Sequence, residues 1–229
     1  MSVAKVNQSW VKPIVFGVTV LFLTFTAIFF SPIHIPHKLC FPVGLLCLAS
    51  LWLTPWEISL ALLFSALGDF WGSCGNFLAQ MGSFAIGHVF YIVFFVRRYL
   101  RKVEPDRKLT SKAKGYLTMM GICIAALLAL VFVKVVPCAP AGILRTGVSI
   151  YAVVICLMLF AAMLQRSLLY ALGALLFVVS DFILAWNMFV EPVPFRDYLV
   201  LGTYYAAQWL LFIRATPYRV PHPVHLLRF

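Results

Sequence analysis

Apolar residues run along this chain in eight long blocks, each close to the length of a helix that crosses a bilayer. A spanning helix needs roughly 20 predominantly apolar residues. The blocks fall at about 13–31, 36–53, 56–73, 79–97, 116–136, 145–163, 168–187 and 197–215. Proline divides most of them: Pro32 and Pro36, Thr54-Pro55, Pro137 and Pro140, then Pro192 and Pro194. A charged loop separates the fourth from the fifth. Between the third and fourth only Gly72, Ser73, Gly75 and Asn76 mark a turn, without charge. The pattern predicts an all-α membrane protein, about eight transmembrane helices in one bundle, forming a single polytopic domain over residues 1–229.

Composition supports that reading. Of 229 residues 63% are hydrophobic and 11% charged, with a mean hydropathy of +0.99. Soluble domains carry about a quarter charged residues, and a fold of this length cannot hide so much apolar surface from water. The formal charge of +11 changes the picture only through its placement. Eight of the eighteen basic residues lie between Arg97 and Lys114, the pattern of a cytoplasmic loop rather than of a nucleic-acid surface. With the N-terminus on the same side, that face gathers fourteen Lys and Arg: Lys5, Lys12, the loop, Arg166, Arg214, Arg219 and Arg228. The opposite face holds Lys38, Lys134, Arg145 and Arg196. The asymmetry places both termini in the cytoplasm, which requires an even number of spans. No small-residue cleavage site follows the first apolar block, so it is read as a span rather than a signal peptide.

The six cysteines form no CxxC pair and read as small packing residues. Only His88 is placed for a metal, whereas zinc wants three or four ligands, so neither metal nor cofactor is expected. His34, His37, His222 and His225 lie in loops or the tail. No GxSxG, Walker-type loop or HExxH occurs.

Of the seven acidic residues, Asp69 and Asp181 alone fall deep inside apolar blocks. Each lies thirteen residues beyond the cytoplasmic start of its helix, at Trp56 and Leu168. At 1.5 Å per residue both sit roughly 20 Å deep in a core about 30 Å thick. An unpaired carboxylate at that depth costs several kcal/mol, so both are candidate functional groups; their plainer role is interhelical hydrogen bonding. Ser65, Asp69, Ser73 and Asn76 share one helical face, and Ser180 adjoins Asp181. His88 with Tyr91, and Tyr204 or Tyr205 with Gln208, add polar groups about 12–16 Å below the outer ends of their helices. The third, fourth, seventh and eighth helices are therefore expected to line one cavity. An internal repeat is also suggested: Ala61-Leu-Leu-Phe64 precedes Asp69-Phe70, and Ala174-Leu-Leu-Phe177 precedes Asp181-Phe182, with the aspartates 112 residues apart.

At these residues the chain resembles the YhhN-like lysoplasmalogenase family, which cleaves the vinyl ether bond of lysoplasmalogens. The matching stretches are Phe64-Ser-Ala-Leu-Gly-Asp69, Phe84 to Tyr91 with Gly87-His88, and Leu144-Arg-Thr-Gly-Val-Ser-Ile-Tyr151. Gly173 to Asp181, Phe182 to Phe189, and Thr203-Tyr-Tyr-Ala-Ala-Gln208 complete the set. Their order and spacing span about residues 36 to 215. One departure is that the family's second helix often opens with Lys-Pro, whereas here Lys38 is followed by Leu39 and proline comes only at Pro42. The resemblance implies a multi-pass membrane hydrolase acting on a lysophospholipid, in bacterial or animal membranes, with Asp69 and Asp181 as catalytic acid and anion. Ser65, His88, Tyr91, Tyr151, Ser180, Tyr204, Tyr205 and Gln208 would hold the aspartates, water or substrate, and Arg145 would contact a lipid phosphate. Two other classes compete with the enzyme: a small proton-coupled transporter using the aspartate pair, and a scaffold in which the polar groups only join helices.

Overall fold

The computed structural model describes residues 10–101 and 110–216, with the side chains of Lys112 and Ala113 outside that description. Lys5, Glu104, Asp106, the basic residues at 102, 107 and 108, and His222, His225, Arg219 and Arg228 also lie outside it. The described residues form eight α-helices and no strand: α1 Val11–Phe30, α2 Phe41–Leu53, α3 Trp56–Ser73, α4 Phe77–Leu100, α5 Ser111–Lys134, α6 Ile143–Met163, α7 Leu168–Phe189 and α8 Arg196–Ala215.

Each block expected from the sequence holds one helix, and the boundaries differ for local reasons. The second helix is shorter than expected. His37 adopts a left-handed conformation (φ 53°), Lys38–Cys40 form a 3₁₀ turn, and Pro42 occupies the first turn of α2, where its missing N–H is harmless. The uncharged break between the third and fourth blocks is a tight hairpin. Gly75 (φ 74°) reverses the chain, and the Asn76 side chain accepts a hydrogen bond from the Ala79 N–H (3.1 Å), capping α4. The fifth helix starts five residues earlier than expected, at Ser111.

Five helices, α1, α4, α6, α7 and the stretch Lys114–Cys138 that contains most of α5, are long and apolar enough to cross a membrane. The other three fall short for two reasons. α2 has only 13 residues. α3 and α8 carry Glu57, Ser65 and Asp69, and Arg196, Asp197, Gln208 and Arg214. The outward faces of the helices are apolar, with Phe16 71%, Trp52 67% and Ile143 74% exposed. That is far more apolar surface than water tolerates on a soluble protein.

Small residues draw two antiparallel pairs together. A Cβ on Gly87 of α4 would lie 3.1 Å from the Ala61 carbonyl oxygen of α3, and one on Gly173 of α7 3.3 Å from the Ala207 carbonyl oxygen of α8. Backbones this close are typical of helix packing in lipid, where association relies on van der Waals fit. α6 packs against α4, with Met81 filling the space left by Gly147. Thus α3–α4 and α7–α8 form two hairpins, with α6 alongside α4 and α7.

Candidate active site

The deep polar residues fall into separate hydrogen-bonded groups. On α7, the Asp181 carboxylate accepts a short hydrogen bond from the Tyr151 hydroxyl of α6. The Tyr151 oxygen in turn lies 3.0 Å from His88 Nε2 of α4, and His88 Nε2 lies 3.6 Å from Asp181. Tyr151 has one proton, and it points at the carboxylate. The bond from His88 must then be donated by Nε2. Three helices therefore converge on Asp181.

Asp69 belongs to a second group. Its carboxylate accepts from the Tyr204 hydroxyl of α8 at 3.0 Å, wholly buried. Beside it, Tyr91 donates to Gln208 at 2.7 Å, again α4 to α8. The Phe177 ring stands between the groups, edge-on to both His88 (4.5 Å between centroids) and Tyr204 (5.3 Å). Phe84 closes the same wall, 5.6 Å from Tyr204. The two aspartates lie on opposite sides of this aromatic partition and do not share a hydrogen-bond partner.

The two carboxylates also differ in access. Asp181 is 11% exposed and lines a narrow cleft, whereas Asp69 is 1% exposed and does not line it. The cleft walls are Met81 and Phe84 of α4, Val148 and Tyr151 of α6, and Leu184 and Phe189 of α7. The cleft at Asp181 is lined by the fourth, sixth and seventh helices, and the neighbouring pocket by the third, fourth, seventh and eighth, so the sixth helix adds to the four expected to line a cavity. Gly147 is the physical reason, since its bare backbone admits Met81 and brings α6 against α4.

The remaining candidates are placed as follows. Ser65 donates to its own helix at the Ala61 carbonyl (2.9 Å), and Ser180 bonds α7 to α8 through the Val200 carbonyl (2.9 Å). Tyr205 turns away from both aspartates and donates to the Leu39 carbonyl (2.9 Å), among Phe22 and Phe29. Arg145 is engaged with backbone: its guanidinium donates to the carbonyls of Ala139 (2.8 and 3.0 Å) and Pro137 (3.1 Å), bracing the α5–α6 loop. Lys38 likewise donates to the carbonyls of Ser31 and Ile33.

Gln80, on the cleft wall, escaped sequence reasoning. A signal existed: Gln80, Phe84 and His88 are spaced four and four along α4 and therefore share a face.

Residues 37–215 match the model of the YhhN family, and the chain belongs to that family. Lysoplasmalogenase TMEM86A of Homo sapiens is 32% identical over 178 residues, covering 72% of this chain and 67% of that protein. Lysoplasmalogenase TMEM86B of Mus musculus is 28% identical over 220 residues, covering 91% of this chain and 87% of that protein. The Homo sapiens TMEM86B is 30% identical over 164 residues, with 70% and 64% covered. No solved structure matches the chain. With its run of apolar helices and these relatives, the chain is an integral membrane protein.

Proposed function

We propose that this protein is a membrane lysoplasmalogenase that hydrolyses the vinyl ether bond of a lysoplasmalogen to a fatty aldehyde and glycerophosphoethanolamine or glycerophosphocholine. The observation that carries it is a carboxyl group facing an apolar cleft and held by Tyr151 and His88, in a chain whose relatives are named lysoplasmalogenase. Vinyl ether hydrolysis needs one strong demand met, delivery of a proton to carbon. A carboxylic acid in a water-poor site meets it, as in glycoside hydrolysis.

Asp181, protonated, gives its proton to the β-carbon as the double-bond electrons form the new C–H bond. The positive charge spreads over the α-carbon and the ether oxygen. Water adds to the α-carbon and returns a proton to the Asp181 carboxylate, restoring the acid. The hemiacetal then loses its glycerol oxygen, its hydroxyl proton passing to that oxygen, and the aldehyde forms. Water is consumed and nothing else. Tyr151 and His88 hold the carboxylate in place through this cycle, and Asp69, behind the Phe177 partition, joins α3 to α8 through Tyr204. Ser180, Tyr91, Tyr204, Tyr205 and Gln208 hold the helices that carry these groups, Ser65 bonds back onto its own helix, and Arg145 secures a loop rather than a phosphate.

The relatives, named lysoplasmalogenases, favour this over the proton-coupled transporter. A test on the purified protein in detergent separates the classes. Aldehyde release from a lysoplasmalogen is expected without any vesicle, a condition under which transport gives no signal. Full retention of the substrate under conditions where the protein stays folded would remove the enzyme reading.

The proposal includes an eight-span topology with both termini in the cytoplasm. α3 and α8, at 18 and 20 residues, reach about 27 and 30 Å at 1.5 Å per residue, so their polar residues disqualify them by composition and not by length. Basic side chains support the orientation: Arg98 and Arg214 stack on Tyr170, and Arg97 pairs with Glu57 at 2.6 Å, all near the end from which the 97–114 loop leaves. The proposed repeat gains support from crossed pairing, since the α3 aspartate bonds α8 and the α7 aspartate lies beside His88 of α4. In a functional Ser111→Cys variant, an impermeant thiol label added to intact cells should fail to react at that position and should react after permeabilisation. Labelling from outside would invert the topology.

A further inference from the structure

Next to the Asp181 cleft lies a second, wider cavity that opens to the surface. Phe77, Gln80 and Leu184 line both, so the two adjoin, with Gln80 at the junction. Gly72 makes that junction: a Cβ there would stand 2.7 Å from the Gln80 amide nitrogen. The wide part is bounded by Met188 and by Arg196 and Asp197, the charged side chains on its wall. Arg196 and Asp197 pair through 2.9 and 2.7 Å contacts and remain 43% and 63% exposed.

We propose that this wider cavity is the headgroup site, in which Arg196 takes the lipid phosphate and Asp197 the ammonium of a zwitterionic ethanolamine or choline head. The inference rests on the lysoplasmalogenase reading and specifies how the substrate lies. Charge matches: a phosphate next to an ammonium is the complement of a guanidinium next to a carboxylate, and an arginine fork suits phosphate oxygens. Spacing matches too. Leu184 and Met188 lie three and seven residues beyond Asp181, about 4.5 and 10 Å along α7. The three-carbon glycerol that links vinyl ether to phosphate crosses such a gap with help from the length of the arginine side chain. The narrow part of the cleft is apolar and suits the vinyl ether and the start of the chain. The cavity lies at the end of the bundle away from the 97–114 loop, so the substrate head enters from the non-cytoplasmic side.

The test compares binding of two uncleavable ligands to the purified full-length protein: a saturated 1-O-alkyl lysophosphoethanolamine and the matching 1-O-alkyl glycerol. The unmodified protein should prefer the phosphate-bearing ligand about tenfold or more, and Arg196→Gln should erase most of that preference. Asp197→Asn should weaken the ethanolamine ligand about threefold while sparing a 1-O-alkyl lysophosphatidate, which has no ammonium. In turnover, Arg196→Gln should raise KM for lysoplasmalogen more than it lowers kcat. A phosphate preference untouched by Arg196→Gln, or absent from the unmodified protein, overturns the headgroup site. If the preference behaves as expected but no lysoplasmalogen is cleaved, the hydrolase reading fails and the headgroup site stands.

Discussion

Replacement of Asp181 by Asn is expected to reduce vinyl ether cleavage by about 10²- to 10⁴-fold, the range that general acid catalysis supplies, while the protein remains folded. The amide has the same size, and its oxygen still accepts the Tyr151 hydrogen bond that Asp181 accepts now. It has no acidic proton to give to carbon, and it cannot recover one from the attacking water. If Asp181 only tied α7 to α6, the amide would serve nearly as well, because interhelical hydrogen bonds are worth about a kcal/mol. Asp69→Asn is the informative comparison. Asp69 is behind Phe177 and outside the cleft, where it accepts the Tyr204 hydrogen bond, so its replacement acts through the α3–α8 contact. An interhelical hydrogen bond is worth about a kcal/mol, and the amide keeps an acceptor, so the loss should stay below about tenfold. Aldehyde release by both variants, at matched expression and thermal stability, is the measurement. Equal losses would restore a shared-carboxylate mechanism, and full activity in Asp181→Asn would take that residue out of the chemistry.

That inequality between the aspartates is not legible in the sequence, and the reason is geometric. Depth is readable along a helix because each residue advances a fixed distance, so Asp69 and Asp181 stand out at matched depth from residue spacing alone. Rotation of one helix against another is not readable in that way. Whether a carboxylate faces a cleft or a tyrosine depends on how Gly68 meets Phe84 and how Gly147 receives Met81, contacts that no spacing rule specifies. α6 shows the limit most clearly. Tyr151 is its deep polar group and reads along the chain as one more aromatic, so only the family resemblance marks it. The helices themselves are legible, because proline and long apolar runs punctuate the chain. α2 begins later than its apolar run suggests because the 3₁₀ turn at Lys38–Cys40 merges into the helix that follows without a polar break after Lys38. Arg145 shows the converse: a lone arginine near an outer helix end looks free for phosphate, and its actual partners are backbone carbonyls brought near by the Pro137–Pro140 turn.

Tyr151→Phe is expected to lower kcat by about 10- to 100-fold with little change in KM. The substitution removes one oxygen and leaves the ring in the cleft wall and against His88 (5.6 Å between centroids). What disappears is the hydrogen bond into Asp181 and the link from that carboxylate to His88. A hydrogen bond to a charged group is worth about 1.5–3 kcal/mol, and about 1.4 kcal/mol corresponds to tenfold. This bond matters most when Asp181 has just given up its proton and faces the cation, so the effect belongs in kcat. His88→Ala removes the far end of the same chain and should cost less, because Asp181 keeps its donor. The decisive measurement is the double variant. If His88 acts through Tyr151, then once the hydroxyl is gone its removal should cost almost nothing further, and the two losses will fall well short of multiplying. Independent structural roles would instead give losses that multiply, with thermal stability falling in proportion. That result would reduce Tyr151 and His88 to packing residues and leave Asp181 to work unaided.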